Sequence, residues 1–139
     1  MPATTHCPCG RGLRYASCCE RWHGKAPEDD SPQSASPLAP PAPSPLALMR
    51  SRYSAFVLGR KDYLLATWHP DTRPAALHLD PATRWLGLEV RAAQEDGDRG
   101  TVEFVARSKL GGRATRLHEV SRFLRIAGRW FYLDGEFRA

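Results

Sequence analysis

No stretch of this 139-residue chain approaches the roughly 20 consecutive apolar residues that a bilayer-spanning helix needs. Its opening, MPATTHCPCG, lacks the basic start and apolar run of a secretory signal, so a cytoplasmic protein without membrane partners is expected. Cysteine is absent after Cys19. All four cysteines crowd into the first 19 residues, whereas a disulfide framework would spread them along the chain, and a reducing cytosol disfavours such bonds. Metal binding is the use that remains for them. A block of charge of one sign is also missing: the formal net charge of +5 comes from 20 basic and 15 acidic residues. The basic residues between Arg84 and Arg138 are interrupted by Glu89, Asp96 and Glu103, as on solvated strand faces, so nucleic acid is not the favoured partner. No internal repeat is visible, and no set of nucleophile, base and oxyanion donors declares an enzyme.

At this length, with 42% hydrophobic residues, the chain can bury one modest core and carry a small appendage. Seven of the twelve prolines fall in residues 26–46, APEDDSPQSASPLAPPAPSPL. Proline removes a backbone donor and fixes φ, so this segment reads as a partly extended linker. It divides a cysteine-bearing head, residues 1–25, from a body, residues 47–139. Its stiffness is expected to hold the head away from the body without fixing its orientation.

At the linker's end, Ser44 and Pro45 read as an N-cap and first helical residue, followed at helical spacing by Leu46, Met49, Tyr53, Phe56 and Val57. Gly59 ends that helix. A second short helix is expected through DYLLATWH, capped by Asp62 and stopped near Pro70. One or two further turns are expected around Ala75 to Leu79. From Trp85 the period changes to two, predicting strands in WLGLEVRAA, GTVEFVARSKL, ATRLHEVSRFLRIA and RWFYLDGEF. The connections DGDRG, GGR and the Gly128 turn suit antiparallel hairpins. The expected fold class is α+β: two or three helices packed on one face of a curved antiparallel sheet of about four strands.

In CPCGRGLRYASCC the spacing is C-x-C-x8-C-C, two pairs of thiols at the ends of a short loop, which suits tetrahedral coordination of one zinc by Cys7, Cys9, Cys18 and Cys19. A head whose large apolar groups are Leu13, Tyr15 and Trp22 cannot fold on burial alone, so the metal would supply most of its folding free energy. Gly10 and Gly12 give a tight backbone beside the sulfurs. Arg11, Arg14, Arg21 and Lys25 would offset the negative charge of a tetrathiolate zinc site. With four thiols present, His6 and His23 are expected outside the ligand set. A closed site has no open coordination position, which argues against catalysis by the metal.

This head resembles the SEC-C motif, C-x-C-x8-C followed by Cys or His, known from the tail of the preprotein translocase ATPase, where it contacts an export chaperone and the ribosome. Through LMRSRYSAFVLG, DYLLATWHP, WLGLEV, GTVEFVAR, SRFLR and GRWFYLDG, the rest of the chain is similar to the YchJ family of uncharacterised bacterial proteins. The resemblance implies a zinc knuckle followed by a cone-shaped domain like nuclear transport factor two or a cystatin, and brings no activity with it. Two departures stand out: many relatives carry a second knuckle at the C-terminus, and the proline-rich linker is long here.

Folds of that shape enclose a pocket between sheet and helices. Candidates for its polar lining are Tyr53, Tyr63, Trp68, His69, His118, Ser121 and Arg122, with Tyr53 and His69 the weak catalytic candidates. Alternation puts His118, Val120, Arg122 and Leu124 on one strand face and Glu119, Ser121 and Phe123 on the other, without telling which is inside. His69 with Asp71, or His118 with Asp134, would make an acid/base pair, although a helix-capping His69 beside a core Trp68 is the favoured reading. Arg50 or Arg52 is expected to meet a buried carboxylate or an anion. Trp85, Trp130, Phe131 and Tyr132 alternate as a nucleic-acid stacking platform would, and core packing explains them equally well. Apolar residues on both faces of the last strand suggest a homodimer through the sheet. The leading expectation is a zinc-binding adaptor whose head takes a protein partner while the cone binds a small ligand or mediates association. The alternatives are a small-molecule enzyme using the cone's pocket and an RNA- or ribosome-associated protein.

Overall fold

The computed structural model describes residues 6–10, 12–23 and 41–138; Arg11, Lys25 and most of the proline-rich segment lie outside the described residues. Four strands, β1 (Arg84–Asp96), β2 (Arg99–Leu110), β3 (Arg113–Ile126) and β4 (Arg129–Arg138), form one antiparallel sheet in the order β1-β2-β3-β4. The three hairpins are tight because their turns tolerate positive φ: Gly97, the pair Gly111 and Gly112, and the pair Ala127 and Gly128. Irregular register between Trp85 and Gly87, Val90 and Ala92, and Arg122 and Phe123 marks bulges, which add twist and bend to the sheet.

Among the described residues, three α-helical segments accompany the sheet. One turn, α1 (Glu20–His23), belongs to the head; α2 (Pro45–Leu58) and α3 (Lys61–Ala66) belong to the body. The local signals act on α2 as expected: the Ser44 hydroxyl accepts from Ala47 N at 3.1 Å, and Gly59 at φ 73° closes the helix. The Pro45 ring rests on Gly100, where a methyl group would overlap it, and so seats the helix start against β2. The concave face of the sheet supplies Val102, Phe104, Ala106, Phe123 and Trp130 to the core. Leu48, Met49 and Tyr53 of α2 and Tyr63 and Leu64 of α3 complete it.

Three local expectations are corrected. Asp62 does not cap α3; that position is held by Arg60, which has no side-chain cap, and Asp62 in the first turn pairs with the Arg60 guanidinium at 2.9 Å. The helix ends at Ala66 because the next residues join the sheet edge: Tyr132 N donates to Thr67 O and His69 N to Tyr132 O, both at 2.8 Å. The turns expected around Ala75 to Leu79 are not helical; Arg73 instead binds the Trp68 carbonyl, and Pro74 and Pro81 punctuate an irregular crossing to β1.

The largest difference concerns the head. It is not held away from the body but packs on α2. That helix is therefore buried on two sides, with Leu48, Met49 and Tyr53 among its core-facing residues and Ser51, Ser54 and Ala55 also buried.

Candidate functional site

The cysteines sit on a small hairpin followed by a turn. His6 bridges Arg14, Cys7 N donates to Leu13 O at 2.8 Å, and the chain reverses through Gly10 and Gly12 at φ 85° and 79°. Such a reversal favours glycine. A 3-10 turn, Tyr15–Ser17, then brings Cys18 and Cys19 to the start of α1. The four sulfurs lie within 4.8 Å of one another, with Cys9 Sγ 3.6 Å from Cys18 Sγ. Tetrahedral zinc with bonds of ~2.3 Å separates its sulfurs by about 3.8 Å, so the four thiols fit one such ion. All four are buried. Hydrogen bonding with the Cys19 and Cys9 thiols pulls the Cys7 thiol far below its ordinary value, and the same interaction pushes Cys19 far up. Sulfurs that must otherwise share protons are a natural seat for a divalent cation. When bound, the ion cross-links the two halves of the knuckle and neutralises thiolate charge, with no position left for a reactant.

The knuckle and α2 are joined by groups that each have a defined partner. Ser54 Oγ lies 3.3 Å from both Cys7 Sγ and Cys19 Sγ and donates to Cys19. Arg50 Nη1 donates to Cys9 O at 2.7 Å. His23 is 1% exposed, with Nε2 2.7 Å from Ser51 O and Nδ1 2.6 Å from the Tyr15 hydroxyl. A carbonyl accepts only, so Nε2 carries the proton and Nδ1 accepts from Tyr15. Burial holds the His23 imidazole down to about 4 and pushes the Tyr15 phenol up to about 12, so both are neutral at pH 7. Arg60, paired with Asp62, also donates to His23 O at 3.1 Å. His6, by contrast, is exposed.

Behind α2 the curved sheet leaves a cavity of about 280 Å3. Its walls are aromatic, with Tyr53 and Phe56 from α2 facing Trp85, Phe104 and Phe123 from the sheet. The polar lining gathers at one side. Arg52, 5% exposed, donates through Nη1 to Leu64 O and Thr67 Oγ1, both at 2.8 Å, while its guanidinium lies 4.9 Å from the Trp68 ring and 4.7 Å from the Tyr132 ring. Burial lowers its pKa to about 10, which leaves it charged at pH 7. Glu119, 6% exposed, accepts through Oε2 from Ser121 at 2.6 Å and Tyr132 at 3.1 Å. Its side chain lies over Gly135 of β4, where a methyl group would overlap the carboxylate.

Of the residues proposed from sequence to line the pocket, Tyr53, Trp68 and Ser121 do so. The structure moves Tyr63, His69, His118 and Arg122 out of it. Tyr63 points toward the head, its hydroxyl 2.7 Å from Ser51 Oγ and its ring 4.5 Å from that of His23. His69 accepts from Asp71 N at 3.0 Å and packs edge-on against Phe131, so part of the apolar weight on the far side of β4 is covered within the chain. His118 and Arg122 take the opposite sheet face, as strand alternation requires once Glu119, Ser121 and Phe123 face inward. His118 Nε2 pairs there with Glu103 at 2.7 Å and Arg122 with Asp134 at 2.6 Å, Arg122 lining a second depression. Neither proposed acid/base pair reaches the cavity. Sequence reasoning missed Glu119 and Tyr132; the available signal was a carboxylate sharing the strand face of Phe123.

A family model described as the YchJ middle NTF2-like domain matches residues 44–135. An UPF0225 protein of Chromobacterium violaceum is 53% identical over 96% of this chain and 93% of its own. One from Methylibium petroleiphilum is 58% identical over 94% of this chain and 87% of its own. The solution structure of a SEC-C motif containing protein from Rhodopseudomonas palustris superposes with a TM-score of 0.79 at 35% identity, covering 97% of this chain and 100% of that one. A crystal structure of a SEC-C motif containing protein from Psychrobacter arcticus gives 0.73 at 28% identity, over 99% and 85% of the two chains. With its NTF2-like body and SEC-C-like cysteine cluster, the chain belongs to the YchJ family.

Proposed function

We propose that this protein binds a small aromatic molecule in its cone, and that zinc in the knuckle braces the helix forming one wall of the site. The observation that carries this reading is the double use of α2. Ser51 and Ser54 meet the knuckle, while Met49, Arg52, Tyr53 and Phe56 line the cavity. A partly open, aromatic-walled space with a few convergent polar groups is the usual form of a small-molecule site. A knuckle clamped to the back of that wall restrains it in the shape a ligand needs, which lowers the ordering cost of binding.

The docked head bears on the rival readings. A protein partner would meet the outward rim of the knuckle, around the exposed Leu13, Arg14 and Arg21, because the inward side is taken by α2. Acid/base chemistry in the cavity would have to use Glu119 or a tyrosine, since no histidine lines it.

Filling the cavity tests the proposal. Ala106, 3% exposed, lines it from β2. Bicyclic aromatic probes should shift the amide and ring signals of Tyr53, Phe56, Trp68 and Trp85 saturably in heteronuclear NMR, and Ala106→Phe should abolish those shifts while keeping the dispersed spectrum of a folded protein. Undiminished shifts in the filled variant, or none at millimolar probe in the parent, would contradict it.

A further inference from the structure

We infer that the cavity's ligand is an uncharged, planar molecule of about two fused rings that presents a hydrogen-bond acceptor to Arg52 and Trp68 and a donor to Glu119, as the edge of a cyclic amide does. This rests on the ligand-binding reading above and adds the chemical class. Three observations carry it. The first is unused hydrogen-bonding capacity on groups that line the cavity. Arg52 donates through Nη1 only, leaving Nε and Nη2 without a partner among the described residues. The indole Nε1 of Trp68 is buried and likewise donates to nothing described. On Glu119, Oε2 receives two hydrogen bonds and Oε1 none from the described residues. Buried polar groups are ordinarily satisfied, and those left open in a cavity wall are what a ligand completes.

The second is the arrangement of these groups. Tyr132 links the two ends: its ring faces the Arg52 guanidinium, and its hydroxyl donates to Glu119. Donors and an acceptor of the protein therefore border the same cavity beside one ring, which a ligand carrying both a carbonyl and an N–H can meet. One cation and one carboxylate share the wall, so an anionic ligand would meet Glu119 and a cationic one Arg52, each as a like charge in a space walled by aromatic rings. The third is size. A cavity of roughly 150 Å3 holds one benzene ring; about 280 Å3 between the rings of Phe56, Trp85, Phe104 and Phe123 suits two fused rings lying flat.

Isothermal titration of the full chain with three bicyclic probes, 2-quinolone, naphthalene and 2-naphthoate, tests the inference, with Trp68→Phe and Glu119→Gln as conservative variants. In the parent protein 2-quinolone should bind at least ~10-fold more tightly than either of the others, because a site with unmet polar groups rejects analogues that leave them unmet. Each variant should reduce that preference, read as the ratio of 2-quinolone to naphthalene affinity within the same variant. Equal binding of naphthalene and 2-quinolone would overturn the polar-edge assignment and leave the cavity reading standing, and tightest binding of 2-naphthoate would overturn the neutral-ligand assignment. Binding of no probe would overturn the cavity reading and this inference together.

Discussion

Replacing Cys9 and Cys18 together with serine will remove zinc from the protein and lower the melting temperature of the body as well as unfolding the head. The head has little apolar surface to bury, and a metal at such a cysteine site is worth about 10–16 kcal/mol in comparable small domains, so its loss is expected to unfold the head. What happens to the body follows from the contacts it shares with the head. Among the described residues, three hydrogen bonds to carbonyl oxygens are lost when the knuckle undocks, from Arg50 to Cys9 O, from His23 to Ser51 O and from Arg60 to His23 O, besides the weaker Ser54 contacts to the Cys7 and Cys19 sulfurs. At ~1 kcal/mol each, the three contribute about 3 kcal/mol, and water reaching the freed groups is already counted in that net figure. For a body of this size the corresponding drop in melting temperature is roughly 10–20 °C. Calorimetry with elemental mass spectrometry on parent and variant reads both effects. Zinc loss with an unchanged melting temperature would mean that the knuckle does not brace the body.

The second large effect is expected at Asp62. Its carboxylate is 1% exposed and holds the Arg60 guanidinium, which reaches across to the head at His23 O. The pair sits at the junction of head, α2 and α3, with Asp62 buried and Arg60 partly exposed. Removing Asp62 takes the counter-ion from a guanidinium that is only partly exposed to water, a loss of roughly 2–3 kcal/mol at such sites. Asp62→Ala should show that loss in urea denaturation, and Asp62→Asn a smaller one, because the amide oxygen still accepts one hydrogen bond. Replacing both partners with leucine should recover part of the stability, since the double change strands no charge. A cost below about 1 kcal/mol for Asp62→Ala, the range of a solvent-screened surface pair, would show that the junction is open to water.

The parts of this structure set by local chemistry were legible in the sequence. The spacing of Cys7, Cys9, Cys18 and Cys19 constrains a loop so short that the sulfurs have few other places to go, and they lie together. Alternation and glycine turns announced the four strands and their order, because hairpin neighbours are neighbours in sequence. Ser44, Pro45 and Gly59 marked the bounds of α2 for the same reason.

What was not legible depends on contacts between distant residues. Docking of the head is carried by Ser51, Ser54, Arg50 and His23, for none of which the sequence pattern indicates this role, and only the partner 28 to 47 residues away gives them meaning. Trp68 and His69 read as the end of a helix, yet they join β4, more than 60 residues on, which no local pattern encodes. The cavity's polar side was obscured in another way. Both faces of β3 mix charge with apolar residues, so alternation could sort His118 and Arg122 from Glu119 and Ser121 but could not choose the inner set. Gly135 favours Glu119 inside, since only a residue without a side chain gives that carboxylate room.

The claim on which the rest depends is that the metal-loaded knuckle is a fixed part of the body. Backbone amide nitrogen relaxation on the zinc-bound protein measures this directly, by comparing Cys18 to His23 with β2 and β3. A single rotational correlation time for both is the expected result. A distinctly shorter time for the knuckle would show a head tumbling on its tether, and would contradict both the brace and the shared use of α2.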